Sequence, residues 1–189
     1  TASGNAIKIT SEGDMTVNEG VSQTTSGSDI VLAARGAGAN VNVNAAVSAA
    51  GGNGNVTVAA NEGVAMNASG SISAAGTGTV NVLAGENLTD SETVFNQDGG
   101  ATGDVTMNAA SSINSQNGNI RVDAGDSLNL STVNANSNAD ATTGNVTLRA
   151  RAGNITDTNA ATMNVTAKDL DASAATGIAS DADRLETTA

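Results

Sequence analysis

Gly54-Asn55-Val56-Thr57-Val58-Ala59 and Gly78-Thr79-Val80-Asn81-Val82 are two copies of one phrase, and the reading of that phrase decides the fold. A glycine is followed by a polar residue, then aliphatic–any–aliphatic, and usually an alanine within two residues. Alternation of this kind places Val56 and Val58 on one side of an extended strand and Thr57 on the other. A strand this short is not stable alone. It becomes stable by pairing with the equivalent strand of the next copy, about 4.8 Å along an axis.

Working outward, the phrase recurs at Gly4–Ile9, Gly27–Ala33, Gly103–Met107, Gly118–Ala124 and Gly144–Ala150. Internal repeats at a period of this size mark solenoids. The leading aliphatics are Ile7, Ile30, Val56, Val80, Val105, Ile120 and Val146, spaced 23, 26, 24, 25, 15 and 26 residues apart. A second aliphatic follows each leader, at Met15, Val41, Val64, Leu88, Ile113, Leu128 and Ile155. A third set is looser: Val21, Val47, Ile72, Val94, Val133 and Met163. One unit is therefore three short strands separated by turns. Every unit winds the same way, so the pairing is parallel, and Val56, Val80 and Val105 are expected to form one interior column.

The 15-residue step from Val105 to Ile120 breaks the rhythm. It reads either as a shortened coil without a third strand, or as a coil in which Ile120 is itself the third strand. The first reading is preferred, because Gly118–Ala124 matches the opening phrase closely.

Composition agrees with a narrow, layered interior. Phe95 is the one aromatic among 189 residues, whereas ordinary cores lean on aromatics for large buried area. The chain has 22 Gly and no Pro. Gly serves frequent turns, and Pro would remove a ladder donor. Cysteine and histidine are absent, which excludes disulfides, thiolate zinc sites and imidazole chemistry. The net charge is -12 with no basic run, so neither nucleic acid nor an anionic lipid surface is an expected partner. No apolar stretch approaches the ~20 residues of a membrane span, and no signal peptide is visible.

The chain is expected to be a single β-solenoid segment over residues 1–189, a piece of a longer repetitive protein. Loop insertions are expected near 96–102 and 134–143, both rich in Asn, Asp, Gly, Ala and Thr. The variant phrases Met163–Ala172, Gly177–Ser180 and Arg184–Thr187 suggest a further coil.

These phrases resemble the haemagglutinin-repeat, large-exoprotein adhesins of Gram-negative bacteria, the filamentous haemagglutinin-like group. Gly177-Ile178-Ala179-Ser180 with Arg184-Leu185-Glu186-Thr187 is similar to the Gly-Ile-Gly-Ser…Leu-Glu-Thr phrase of giant β-strand-repeat surface proteins, with Ala179 in place of the usual Gly. The resemblance implies a right-handed parallel β-helix, here with three short strands per coil and about 7–8 coils. It also implies export, display on the bacterial surface or release, and adhesion to host cells, other bacteria or matrix polysaccharide. No motif in this chain corresponds to a receptor-binding site of that group.

Three functions stay open: the shaft of an adhesin, a protomer of an extracellular filament, and a carbohydrate-active β-helix. The last needs carboxyls facing each other across a groove beside sugar-stacking aromatics. Asp123 and Asp126 with Arg121 form one local group, but no Trp or Tyr exists to supply the platform. The expected reading is non-catalytic, without a cofactor. Calcium is the one metal considered, and Asp90, Glu92 and Asp98 are its candidate ligands, although 6–8 oxygens would be needed and no calcium-loop motif occurs. Several Asn-x-Ser/Thr triplets, such as Asn55-Val56-Thr57 and Asn145-Val146-Thr147, are formal glycan acceptors. They read better as strand openings, with Asn at the turn and Thr on the outer face. Asn55, Asn119 and Asn145 hold equivalent places and are expected to form a side-chain ladder. The expected partners are further coils of the same chain, or like subunits end to end, which uncapped strand edges invite.

Overall fold

In a computed structural model the chain is an all-β solenoid, and the structure describes residues 6–88, 102–139, 143–180 and 184–189. The described residues contain no helix. They form three parallel sheets of seven strands each, and each coil contributes one strand to each sheet. The first sheet comprises β1 (Ile7–Ser11), β4 (Ile30–Ala34), β7 (Val56–Ala60), β10 (Val80–Ala84), β13 (Ile120–Ala124), β16 (Val146–Ala150) and β19 (Leu170–Ala174). The second comprises β2 (Met15–Val17), β5 (Val41–Val43), β8 (Val64–Met66), β11 (Val105–Met107), β14 (Leu128–Leu130), β17 (Asn154–Asp157) and β20 (Gly177–Ile178). The third comprises β3 (Val21–Gln23), β6 (Ala46–Ala49), β9 (Ser71–Ala74), β12 (Ser112–Ser115), β15 (Thr132–Asn134), β18 (Val165–Thr166) and β21 (Thr187–Thr188). Six steps between the seven layers, at about 4.8 Å each, give an axis of about 29 Å.

The period-2 pattern does what the phrase requires. In β7, Val56, Val58 and Ala60 are fully buried inward, while Thr57 is half-buried on the outer face. The first interior column runs Ile7, Ile30, Val56, Val80, Ile120, Val146 and Leu170. The second runs Met15, Val41, Val64, Val105, Leu128, Ile155 and Ile178. The third runs Val21, Val47, Ile72, Ile113, Val133, Val165 and Thr187.

These columns correct the sequence reading in one coil. Val105 does not sit on Val80; it pairs with Val64 and Leu128 in the second sheet. Ile113 belongs to the third sheet, against Ile72 and Val133, and not to the second. Leu88 is not in a strand, and Val94 lies outside the described residues. The short step is therefore neither a truncated coil nor a third strand at Ile120. Val80, Val105 and Ile113 are the leading aliphatics of the three strands of one coil, and Ile120 leads the next. In the sixth coil the third column uses Val165, while Met163 is exposed. The winding survives the shift because the first and second sheets demand the same inward–outward alternation, so one word serves both.

Polar ladders hold the corners. Before the first sheet, Asp29 Oδ1 accepts the Asn55 backbone N–H at 2.7 Å, and Asn55 Oδ1 accepts the Thr79 N–H at 2.9 Å. Asn119 Oδ1 accepts the Asn145 N–H at 3.0 Å. The expected row of Asn55, Asn119 and Asn145 lies at one corner, with Asp29 and Thr79 in the same row, but its printed bonds run from side-chain oxygen to backbone N–H rather than from amide to amide, and Thr79 stands between Asn55 and Asn119. At the next corner Asp14 Oδ1 accepts the Asn40 N–H at 2.8 Å, and Asp104 Oδ1 accepts the Ser127 N–H at 2.9 Å. In each case the side chain of one layer satisfies a backbone donor of the following layer, which fixes the register. Glycine is required where layers touch at the corner: a Cβ on Gly78 would lie 2.1 Å from the Gly54 carbonyl oxygen.

The variant C-terminal phrases do form a seventh coil, β19, β20 and β21. The connection expected near 134–143 runs from β15 to β16, with Ala135 and Asn136 buried at its start and residues 140–142 outside the described set. The connection expected near 96–102 belongs to a longer one, between β10 and β11, of which only the ends are described.

Candidate functional site

The feature that distinguishes this solenoid from a plain stack is that connection. It leaves the corner at Gly85 and returns at Gly103, and the two ends touch. Gly85 has φ +73 and Gly103 has φ +96, and a Cβ on Gly103 would lie 2.6 Å from the Gly85 nitrogen. The Gly85 N–H donates to Glu62 O on one layer at 2.7 Å, and the Asp126 N–H of the following layer donates to Gly103 O at 3.0 Å. The two ends together fill one ordinary corner, so the connection is inserted without disturbing the layers on either side.

From the neck the chain turns onto the outer face of the first sheet. The fourth residue of each strand there points outward, giving the row Ala33, Ala59, Leu83, Asp123 and Arg149. Ala33 and Ala59 are small enough to leave a shallow pad. Leu88 packs with them and with Leu83 and is 5% exposed. The Leu88 N–H donates to Asn61 Oδ1 at 2.6 Å. Covering a Leu this fully is worth about 1.5–3 kcal/mol.

Beyond the pad lies a buried ionic cluster. The Glu86 and Asp123 side chains have no exposed surface, and the Arg151 side chain is 11% exposed. Arg151 Nε donates to Asp123 Oδ1 at 2.8 Å, and Arg151 Nη2 lies 3.3 Å from Glu86 Oε1. Arg121 Nη2 donates to Asp123 Oδ2 at 2.8 Å. Each arginine comes from a strand of the sheet or its end, and Glu86 comes from the connection. The cluster therefore ties the connection to β13 and β16. Burial of a carboxylate is costly unless it is paired and hydrogen-bonded, and here both carboxylates are.

Beside the neck an open groove of about 650 Å³ runs between the corner residues Arg35, Asn61 and Glu62 and the chain at Glu86–Leu88. Among the described residues its lining is mostly polar. A smaller hollow of about 230 Å³ lies on the other side of Glu62, against Asn40, Gly63 and Asp104.

Asp90, Glu92 and Asp98, the candidate calcium ligands, lie outside the described residues. Among the described residues no group of three or more Asp or Glu side chains is gathered in a metal-binding arrangement. Of the group Asp123, Asp126 and Arg121, the structure joins Asp123 to Arg121. Asp126 turns away, with Oδ1 3.5 Å from Ser127 Oγ. Asp123 is sealed from solvent. Sequence reasoning missed Glu86, Leu88 as an outer-face residue, and Arg151. The available signal was the charged Asp123 at an outward strand position with Arg149 and Arg151 one coil later. Comparisons with protein-family models, curated proteins and solved structures find no match for the chain.

Proposed function

We propose that this chain is a non-catalytic structural shaft of a secreted or surface-displayed bacterial adhesin, supporting adhesion or a biofilm matrix. The observation that carries the reading is the unbroken layering. Three parallel sheets continue through all seven layers, with aliphatic columns inside them through the first six, and the two described ends of the long connection together fill one ordinary corner. In such a molecule each coil contacts only its neighbours, so length and stiffness grow by repetition. The start of the connection at Glu86–Leu88, with the polar groove beside it, breaks the uniformity of the described surface and is the place where a polysaccharide or host-cell surface would be met. The resemblance of the repeated phrases to the filamentous haemagglutinin-like group supports export and the extracellular setting.

A second reading, a protomer of a self-assembling extracellular filament, is favoured by one observation. Among the described residues, Ile9 in the first layer and Ile178 in the last are 44% and 43% exposed. A carbohydrate-active β-helix is the least favoured, since the buried carboxylates at the docked connection are committed to arginines.

The test is antibody labelling of intact cells that make the chain, together with adhesion of those cells before and after its deletion. Surface labelling with loss of adhesion or of matrix cohesion supports the shaft. Labelling only after cell rupture contradicts it, as does release of reducing sugar from polysaccharide by the purified chain.

A further inference from the structure

Where the chain passes from the first sheet to the second, the corner is three residues long in four of the coils. Residues 12–14 separate β1 from β2, 61–63 separate β7 from β8, 125–127 separate β13 from β14, and 151–153 separate β16 from β17. Between β10 and β11 stand residues 85–104. Gly85, Gly103 and Asp104 alone would make a corner of the common length.

Gly103 and Asp104 already occupy its second and third places. The Asp126 N–H, second in its own corner, donates to Gly103 O at 3.0 Å. The Ser127 N–H, third in that corner, donates to Asp104 Oδ1 at 2.9 Å. The Val64 N–H of the preceding layer donates to Asp104 O at 2.9 Å, as the Val41 N–H does to Gly63 O at 3.0 Å. Only the first place differs. Elsewhere its N–H donates to the last strand residue of the preceding layer, as Asn61 does to Ala34 O and Gly125 to Ala84 O, both at 3.0 Å. In this coil Glu86 makes that bond, to Ala60 O, and Gly85 is turned onto Glu62 O. Gly85 holds φ +73, and glycine adopts negative φ as readily. The neck is also short enough to close. A Cβ on Gly103 would lie 2.8 Å from the Gly85 Cα. With one C–C bond of about 1.5 Å added, the two Cα atoms are at most about 4.3 Å apart, against about 3.8 Å across a trans peptide.

We infer that residues 86–102 are a separable element, carried by a coil that is complete without them. With Gly85 joined to Gly103, the Gly85 N–H passes to Ala60 O. The Gly103 N–H then takes Glu62 O, as Asp126 takes Gly103 O in the next layer. The contacts of Glu86 and Leu88 hold the element on the outer face and do not hold the coil, and Asp123 keeps Arg121 and Arg151. The inference goes beyond the shaft reading. Support and presentation are built from different residues of one coil, so the presented element can change while the rod does not.

The test is a deletion of residues 86–102 that joins Gly85 to Gly103, made with Ala65→Cys and Thr106→Cys. Those two positions pair in the strands just after the corner, so oxidation reports the register. The variant should close the disulfide and unfold cooperatively in urea, with a midpoint within about 1 M of the full chain. Loss of the Leu88 and Glu86 contacts lowers the midpoint, whereas a shorter connection costs less closure entropy. A deletion of residues 86–103 leaves two corner residues and slips β11 by one, turning its inward face outward, so its disulfide should not form. Leu83 loses its cover in either deletion. A second version with Leu83→Thr keeps association through that patch apart from misfolding. The inference is overturned if the 86–102 deletion, in both versions, is unfolded or leaves the two cysteines unjoined. It is also overturned if the 86–103 deletion closes the disulfide equally well. The shaft reading is decided separately, by labelling and adhesion of intact cells.

Discussion

Arg151→Met should destabilise the chain by about 3 kcal/mol, because it leaves buried carboxylates without their shared cation. Met keeps most of the apolar stem, so the loss reports charge and hydrogen bonding more than packing. Breaking a buried pair by removing one partner typically costs about 3–5 kcal/mol. The lower end applies here, since Asp123 retains Arg121 at 2.8 Å. For a chain of this size a urea m-value of about 2 kcal/mol/M turns that loss into a midpoint lowered by about 1.5 M. Equilibrium urea unfolding followed by far-ultraviolet circular dichroism reads the shift. The triple variant Glu86→Gln, Asp123→Asn, Arg151→Met removes the charges together and should recover more than half of the loss. The reasoning fails if Arg151→Met unfolds within about 1 kcal/mol of the unsubstituted chain. It also fails if the triple variant is less stable than the single one.

Leu88→Ala should cost about 2 kcal/mol in the same measurement, as the pad of Ala33, Ala59 and Leu83 loses its cover. Asn55→Ala should cost about 1–3 kcal/mol, because the Thr79 N–H and hydroxyl lose their acceptor at 2.9 and 2.8 Å, and Asn55→Asp should be milder. Ile72→Ala, in the middle of the third column and fully buried, should cost about 2–5 kcal/mol, whereas Ser73→Ala on the outer face of the same strand should change stability by less than about 1 kcal/mol.

The layered interior was legible because the strands alternate so regularly: Val56-Thr57-Val58 could hardly be anything but a half-buried strand. The corner ladder was legible too, since Asn55, Asn119 and Asn145 hold the same place in the phrase. The phase of one coil was misread at Val105. A signal for the correct phase is present. Met107 is followed by Asn108 as Val17 is by Asn18, Val43 by Asn44 and Met66 by Asn67, all ends of second-sheet strands. First-sheet strands run five residues and, after β1, end in Ala, as at Ala34, Ala60, Ala84, Ala124 and Ala150. Strand length, not the aliphatic pair itself, separates the sheets. The ionic cluster was harder to read. Glu86 and Arg151 stand 65 residues apart and meet only because the connection folds back over the outer face. No local pattern encodes that meeting, and Leu88 was misassigned because an aliphatic docked outside looks the same as one packed inside.

The winding places the long connection between β10 and β11 within one coil. The chain has no cysteine, so introduced pairs report register cleanly. Neighbouring parallel strands lie about 4.8 Å apart, within reach of a disulfide. Thr106 pairs with Ala65 in the structure, whereas a column of Val80 and Val105 would set it beside Asn81. Oxidation of the Ala65→Cys, Thr106→Cys variant should close an intramolecular disulfide, and the Asn81→Cys, Thr106→Cys variant should not. The reverse outcome would contradict the winding, and with it the layered shaft.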